Sequence, residues 1–318
     1  LFLNKLSQLV GIMPNKSGKP LNKNYYDLAA SVQFVFEQIC INLFQKIYRK
    51  TRMQNLVFSG GCALNSVLNG KILQNCNFKK LFVPPFPDDS GVGVGSALYI
   101  YNHLRNHKKM FTFKNNYLGP SYNDKEINFI LKSTKINFKY SKDVTKHAAN
   151  KLNQGKIIGW YQGNIEFGDR SLGNRSILAD PRDSSMKDKV NKLIKYRESF
   201  RPFAPAILKD KVKDFFGNVQ DTPFMEKVFF VKPKMQKIIP AVTHVDGSAR
   251  LQTVTIEQNP KFYKLISNFF LITGVPIVLN TSFNLKGEPI VCSPQDAIKT
   301  FYSSGLDILY LGNFFIEK

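Results

Sequence analysis

The 318-residue sequence predicts an α/β fold. Short apolar strands alternate with amphipathic helices along most of the chain, which is the pattern of an α/β sheet. Glycines and polar residues directly follow several of these strands, where α/β folds bind their ligands. Hydrophobic residues form 43% of the chain, so it can bury sizeable cores and is not a disordered protein. Its length indicates two domains.

Residues 1–115 are predicted to form the first domain. Helices and strands are expected to alternate there. They comprise a helix over 27–50, a strand at 55–58, a helix over about 62–75, a strand at 81–83 and a helix over about 92–106. Residues 107–121 contain lysines, asparagines and the stretch Leu118-Gly119-Pro120, which is typical of a linker. We therefore place a domain boundary between residues 115 and 116.

Residues 116–318 are predicted to form a second α/β unit with six helices and six strands. The helices are expected near 123–133, 143–154, 185–195, 210–216, 260–272 and 294–303. The strands are expected at 157–161, 204–208, 225–231, 251–255, 277–279 and 308–311.

The chain is strongly basic, with a formal net charge of +22. Residues 1–115 carry 15 basic and 4 acidic residues and residues 116–318 carry 30 and 19, so each part has the same excess of 11. No run of five basic residues occurs. This even spread favours a generally lysine-rich composition over a nucleic-acid surface, and we expect no specific nucleic-acid partner.

The four cysteines show no CxxC spacing, which argues against a zinc knuckle or a disulfide framework and fits a reducing, cytoplasmic location. The sequence contains no run of 18 apolar residues, so no membrane span is predicted. The sequence lacks an initiator Met and opens inside what is predicted to be a continuing element. We therefore expect an upstream part to be missing.

The arginines are clustered. Five of the nine lie within 32 residues, and they are Arg170, Arg175, Arg182, Arg197 and Arg201. Arginine binds phosphate and carboxylate oxygens with a planar fork of donors, whereas lysine acts as a point charge. The cluster, together with Lys195, predicts an anion pocket. The alternative is a set of surface ion pairs with the neighbouring acidic residues, which include Glu166, Asp169, Asp180, Asp183 and Glu198.

A polar turn follows the strand predicted at 277–279. Asn280, Ser282 and Asn284 could hold a planar group such as a carbamoyl by paired hydrogen bonds, although an ordinary Asn/Ser turn is the alternative. Arg250 opens a predicted strand and is either a further anion ligand or a lone salt-bridge partner.

The first domain offers weaker signals. Gly60 and Gly61 form a turn before a predicted helix, where phosphates and nucleotides bind. Asp89 lies in a strand-to-helix loop and is a plausible metal ligand. His103 and His107 are four residues apart, but their lysine-rich surroundings favour a solvated helix end over a metal pair.

These stretches together resemble the C-terminal part of the NodU/CmcH-type O-carbamoyltransferases. The matching motifs are Ser-Gly-Gly-Cys-Ala-Leu-Asn, Phe-Gly-x-Arg-x-Leu-Gly-Asn-Arg-Ser-Ile-Leu-Ala-Asp-Pro-Arg, Arg-Pro-Phe-Ala-Pro, Thr-His-Val-Asp-Gly-x-Ala-Arg and Asn-Thr-Ser-Phe-Asn. The resemblance implies that residues 1–115 are the C-terminal part of an actin/sugar-kinase-like domain. Residues 116–318 would form a YrdC-like twisted-sheet domain.

The resemblance also implies a two-step, ATP-dependent reaction. The YrdC-like domain would join carbamoyl phosphate to ATP, giving carbamoyl-adenylate and pyrophosphate. The kinase-like domain would then transfer the carbamoyl group to a hydroxyl of a small-molecule acceptor. The implied cofactors are ATP with Mg²⁺ and a divalent metal, Fe²⁺, in the transfer domain.

Site residues follow from the matching motifs. Those implied to bind carbamoyl phosphate and the adenylate are Arg170, Arg175, Lys195, Arg197, Arg201, Arg250, Asn280, Ser282 and Asn284. Arg170, Lys195 and Arg201 are also expected to act in catalysis. Gly60, Gly61 and Asn65 would contact the adenylate in the transfer domain, and Asp89 would bind its metal.

One departure from the family concerns its metal-binding histidines, which precede the region where this sequence begins. His103 and His107 do not match that motif. A complete transferase would need roughly 250 further residues upstream, including the N-terminal lobe. Two alternative functions stay open, namely threonylcarbamoyl-adenylate synthesis for tRNA modification and a basic RNA-binding module without catalysis.

Overall fold

The computed structural model describes residues 3–15, 20–108, 113–217 and 219–318. The chain divides into two compact units, one formed by Leu1–Leu56 with Lys71–Phe82 and the other by Val57–Gly70 with Val83–Lys318. The predicted α/β class is confirmed. The bounds of these two units do not coincide with the predicted domain boundary between residues 115 and 116. That boundary concerns the domains of the family and stays a prediction.

Helices and strands alternate along much of the chain. The helices are α1 (Leu3–Val10), α2 (Lys23–Thr51), α3 (Ser66–Asn75), α4 (Val92–Tyr99), α5 (Asp124–Ser133), α6 (Val144–Asn153), α7 (Met186–Val190), α8 (Val212–Phe216), α9 (Pro233–Gln236), α10 (Pro260–Thr273) and α11 (Pro294–Tyr302). The strands are β1 (Asn55–Val57), β2 (Lys80–Phe82), β3 (Lys139–Tyr140), β4 (Ile158–Tyr161), β5 (Arg175–Ala179), β6 (Ala204–Leu208), β7 (Lys227–Phe230), β8 (Ser248–Val254), β9 (Ile277–Ser282), β10 (Ile308–Leu311) and β11 (Phe314–Glu317).

The smaller unit is built around the 29-residue helix α2. Asn22 caps its start by accepting a hydrogen bond from the Asn24 amide, and the helix ends at Arg52 in a left-handed conformation. The ring of Tyr48 packs edge-on against Phe78. None of the helices formed by the described residues combines the length and the apolar content needed to cross a bilayer.

The larger unit contains a nine-stranded sheet in the order β3-β11-β10-β4-β5-β9-β6-β8-β7. The pairs β10–β4 and β6–β8 are parallel and the other pairs are antiparallel. Helices α6 and α10 pack against each other, and the apolar core includes Trp160, Phe262 and Phe283, all fully buried. Because β9 and β8 flank β6, residues near corresponding positions on these three strands lie close together.

Most predicted elements are present, but several were missed. The sequence patterns do not predict β3, β11, α1, α9 or the central strand β5. That strand begins with Arg175, and a charged residue in a fully buried central strand is unusual. The helices predicted near 92–106 and 185–195 each end in a π turn, at Ile100–Leu104 and Asn191–Lys195.

The predicted linker is only partly described, because residues 109–112 lie outside the described residues. Residues 113–121 are irregular, as a linker should be, but they pack on the larger unit. Asn116 donates a hydrogen bond to the Phe167 carbonyl at 2.9 Å, and Tyr117 donates one to the Leu172 carbonyl at 2.9 Å.

Candidate active site

A cavity of about 470 Å³ opens in the larger unit beside β6, β8 and β9. Six of the nine residues predicted to bind substrate line it, and they are Arg170, Arg197, Arg201, Arg250, Asn280 and Ser282. Arg250 lies on β8 and Asn280 on β9, while Arg170 comes from the loop before β5. The structure therefore brings together residues that are up to 112 positions apart, counting from Arg170 to Ser282.

The cavity is electropositive because its arginines have few carboxylate partners. Within the described residues, no salt bridge joins Arg170, Arg197 or Arg250 to a carboxylate, whereas Arg201 pairs with Glu198 at 2.9 Å. Burial and the charges of Arg170 and Arg197 together lower the pKa of Arg250 to about 9. Asp169 also lines the cavity, but enclosed arginines that form no salt bridge indicate a site for an anion.

The alternative of surface ion pairs applies to only part of the cluster. Arg182, which does not line the cavity, binds Asp180 through both Nε and a terminal nitrogen, at 3.0 and 2.6 Å. Arg201 forms an exposed pair with Glu198. Arg170 and Arg250 form no such pair within the described residues.

The Arg170 loop is held by a buried carboxylate. Glu166 Oε1 accepts hydrogen bonds from the amides of Leu172 and Asn174, at 2.7 and 2.8 Å. Burial raises the pKa of Glu166. Gly173 has a φ of +108°, and a Cβ there would lie 2.2 Å from the ring of Phe262. The loop consequently has one fixed shape, which sets the position of Arg170.

A hydrogen-bond chain fixes the amide orientation of Asn280. Gln252 donates from Nε2 to the Leu172 carbonyl at 2.9 Å, so its Oε1 is the atom that meets Asn280. Asn280 Nδ2 donates to that oxygen at 2.8 Å and to the Ser171 carbonyl at 3.2 Å. Asn280 Oδ1 is then left without a partner.

Two further polar atoms of cavity residues, Ser171 Oγ and Arg250 Nε, have no hydrogen-bond partner among the described residues. Such atoms are costly to bury in a folded protein, and the residues that carry these three all line the cavity. A ligand that fits them would accept a hydrogen bond from Arg250 and donate one to Asn280.

Lys195 lies behind the wall of the cavity and organises the turn after β9. Its Nζ is within 2.6–3.1 Å of four oxygens, which are the carbonyl and side-chain oxygens of Ser282 and Asn284. Burial, with the charge of Arg197, lowers the pKa of Lys195 to about 7. Lys195 and Asn284 line a neighbouring cavity of about 240 Å³, which shares Arg197, Arg201 and Ser282 with the first.

Arg175 is not part of this arrangement, contrary to its predicted role as a substrate ligand. Its side chain is fully buried, and a terminal nitrogen donates to the carbonyls of Gln162 and Gly163 at 2.6 and 3.2 Å. The guanidinium also stacks 3.6 Å above the ring of Tyr161. Main-chain carbonyls bind its terminal nitrogens and an aromatic ring covers its face, while Nε has no hydrogen-bond partner within the described residues. These contacts hold β4 and β5 together.

The residues predicted for the transfer step lie apart from the arginines. Gly60 donates its amide to the Pro87 carbonyl at 2.6 Å, and Asn65 Oδ1 accepts from the Leu68 amide at 3.0 Å. Gly60, Gly61 and Asn65 do not line the cavity, but Ser66 and Val67, which follow them, do. The motif thus leads directly into one wall of the cavity.

Asp89 is exposed at the start of a helical turn, Asp89–Gly91. No group of three or more His, Cys, Asp or Glu side chains suited to a metal occurs in the described parts of the chain. His103 and His107 are exposed and lie against Tyr99 and Tyr101. The residues present do not by themselves form a metal centre.

The sequence interpretation missed His244, which also lines the cavity. Its Nδ1 lies 3.1 Å from Ser248 Oγ, and that hydroxyl is 2.7 Å from Asp246 Oδ1. The signal was the spacing His-x-Asp-x-Ser immediately before Arg250. Gln252 was also missed, since nothing in the sequence shows that it orients Asn280.

Comparisons with known proteins agree with the motifs. The families described as Carbamoyltransferase C-terminus and Carbamoyltransferase N-terminus match residues 149–318 and 4–98. Nodulation protein NolNO of Sinorhizobium fredii is 40% identical over 100% of this chain and 48% of its own length. Nodulation protein NolO of Bradyrhizobium diazoefficiens is 39% identical over 98% of this chain and 58% of its own length.

This chain thus spans about half the length of the curated relatives that it matches. Among solved structures, full-length HypF in a phosphate- and nucleotide-bound form is partly similar, with a TM-score of 0.40 and 17% identity. That similarity covers 55% of this chain and 22% of HypF.

Proposed function

We propose that this chain, which belongs to the carbamoyltransferase family, forms carbamoyl-adenylate from carbamoyl phosphate and ATP. The observation that carries the proposal is the cavity in which Arg170 and Arg250 lack carboxylate partners while Asn280 Oδ1 lacks a donor. Anionic oxygens would satisfy the arginines, and an N–H group would satisfy the asparagine.

Carbamoyl phosphate carries both kinds of group. Its phosphate oxygens fit Arg170 and Arg250, and its NH₂ group fits the acceptor that Asn280 presents. An acyl phosphate without an N–H, such as acetyl phosphate, would leave Asn280 Oδ1 unpaired. Sites built around a buried hydrogen bond discriminate strongly against ligands that lack it.

The neighbouring cavity would hold the phosphates of ATP as its Mg²⁺ complex. Arg197 and Arg201 border both cavities, so they can stabilise negative charge on both ligands while these react with each other. Carbamoyl phosphate loses its phosphate to water, and the carboxylate that remains attacks the α-phosphate of ATP, so that pyrophosphate leaves. Fixed cations stabilise the negative charge that gathers in that transition state.

The second step is a proposal for the whole, longer protein. In it, carbamoyl-adenylate would pass to a site where Gly60, Gly61 and Asn65 contact the nucleotide and a small-molecule hydroxyl accepts the carbamoyl group. Asp89 would be one ligand of the Fe²⁺ implied for that site, with the remaining ligands outside these 318 residues. A cytoplasmic location, where carbamoyl phosphate and ATP are both available, is part of the same proposal.

The test is exchange of labelled pyrophosphate into ATP. We expect exchange that depends on carbamoyl phosphate and falls at least about a hundredfold in Arg170→Ala, since one fixed cation at a transition state contributes this much. Arg182→Ala is the matched control, because Arg182 pairs with Asp180 outside the cavity. Absence of exchange, or an unchanged rate in Arg170→Ala, would refute the proposal.

The same assay separates the alternatives. Exchange that requires threonine and bicarbonate instead of carbamoyl phosphate would indicate threonylcarbamoyl-adenylate synthesis. RNA affinity with a steep salt dependence and no nucleotide turnover would indicate an RNA-binding module.

A further inference from the structure

We propose that His244 acts as the general base in the hydrolysis of carbamoyl phosphate to carbamate inside the cavity. This hydrolysis precedes the attack of the carbamate on ATP. The inference rests on the proposed function and adds a residue to it. The observations behind it are the position of His244 on the cavity wall and the hydrogen bonds that fix its ring.

The hydrogen bonds determine which ring nitrogen carries the proton. Partial burial acts to raise the pKa of Asp246, but hydrogen bonds from the side chain and the amide of Ser248 bring it below its ordinary value. Asp246 is therefore a carboxylate and can only accept, so the Ser248 hydroxyl must donate to it at 2.7 Å. Ser248 Oγ is then the acceptor for His244 Nδ1, at 3.1 Å.

This arrangement leaves Nε2 of His244 with its lone pair, and Nε2 has no hydrogen-bond partner in the described parts of the chain. The charged groups around the ring are Asp246, Arg250 and Lys187. Burial lowers the pKa of His244, Asp246 acts to raise it, and the two cations lower it. The imidazole is neutral near pH 7, which is the state a general base requires.

In the proposed step, Nε2 of His244 takes a proton from a water molecule as the water oxygen bonds to the carbonyl carbon of carbamoyl phosphate. The bond from that carbon to the bridging oxygen breaks, and its electron pair leaves with the phosphate, which receives the proton from His244. Carbamic acid remains and loses its proton to solvent, giving the carbamate that attacks ATP. The arginines stabilise the departing phosphate.

The experiment compares two ways of driving pyrophosphate exchange. Carbamoyl phosphate requires the hydrolysis, whereas ammonium carbamate supplies the nucleophile directly. In His244→Asn, we expect exchange driven by carbamoyl phosphate to fall about a hundredfold or more, which is the usual contribution of a general base. Exchange driven by carbamate should stay within about twofold of wild type, because only the bypassed step needs the base. Ser248→Ala should show a smaller loss with the same selectivity.

His147→Asn is the matched control, since His147 also binds a hydroxyl through Nδ1, that of Tyr310 at 2.9 Å, and does not line the cavity. Its ratio of the two rates should equal that of wild type. Equal loss of both rates in His244→Asn, or of neither, would overturn the inference. So would a wild-type protein that uses carbamoyl phosphate but not carbamate. A wild-type protein that uses neither refutes the proposed function itself.

Discussion

Replacing Arg250 should make the protein more stable and at the same time remove anion binding. Burial and two neighbouring arginines lower the pKa of Arg250 from 12.5 to about 9, so the folded state disfavours the charged form. At every pH below about 9 the folded protein bears that free-energy cost, and the unfolded chain does not. At about 1.36 kcal/mol for each pKa unit, the cost is at most roughly 5 kcal/mol.

The net effect of Arg250→Met will be smaller, because the side chain is partly hydrated by the cavity and the methionine packs differently. We expect a gain of about 1–2 kcal/mol, within the range seen when buried charges are replaced by apolar residues. For a unit of this size, that gain corresponds to an increase in Tm of roughly 3–6 °C.

Thermal unfolding at low ionic strength, with and without inorganic phosphate, measures both effects. Phosphate should raise the Tm of the wild type, since a ligand at 100 times its Kd adds about 2.7 kcal/mol, and should leave the Tm of Arg250→Met nearly unchanged. Arg182→Met is the control and should lower the Tm, because it breaks the paired contact with Asp180. If Arg250→Met lowers the Tm as the control does, and phosphate still stabilises it, the reasoning is wrong.

Three further predictions concern single residues. Arg175→Lys should lower the free energy of unfolding in urea by about 2–4 kcal/mol, because lysine has fewer donors for the buried carbonyls and cannot stack on Tyr161; an unchanged midpoint would contradict this. Gly173→Ala should cost at least about 3 kcal/mol in the same assay, through its positive φ and the clash with Phe262; Gly155→Ala, with open space around it, is the comparison. Because the pKa of Lys195 is about 7, sulfate affinity measured by calorimetry should fall roughly tenfold from pH 6.5 to 8 as the cation is lost, and Lys195→Met should show no such dependence.

The arginine cluster illustrates which cavity residues the sequence could single out and which distinctions it could not make. Clustering singled out Arg170, Arg197 and Arg201, which line the cavity in the structure, because arginine is used sparingly elsewhere in a lysine-rich chain. It could not distinguish them from Arg175 and Arg182, which have the same side chain and similar neighbours in sequence. Whether a guanidinium faces a cavity, a carbonyl or a carboxylate depends on which strand carries it and what packs around it.

Periodicity in the sequence alone determined the α/β class and most of the helices and strands, since these depend on residue type and local spacing. Motif chemistry added the prediction of an anionic ligand. Only the tertiary structure decided which side chains meet. In the structure Arg175 is buried in the core, and Lys195 binds the oxygens of the Ser282–Asn284 turn. His244 lines the cavity, and Gln252 lies beside it. The reason is that hydrogen-bond partners and desolvation arise between strands far apart in the chain, and no local pattern encodes them.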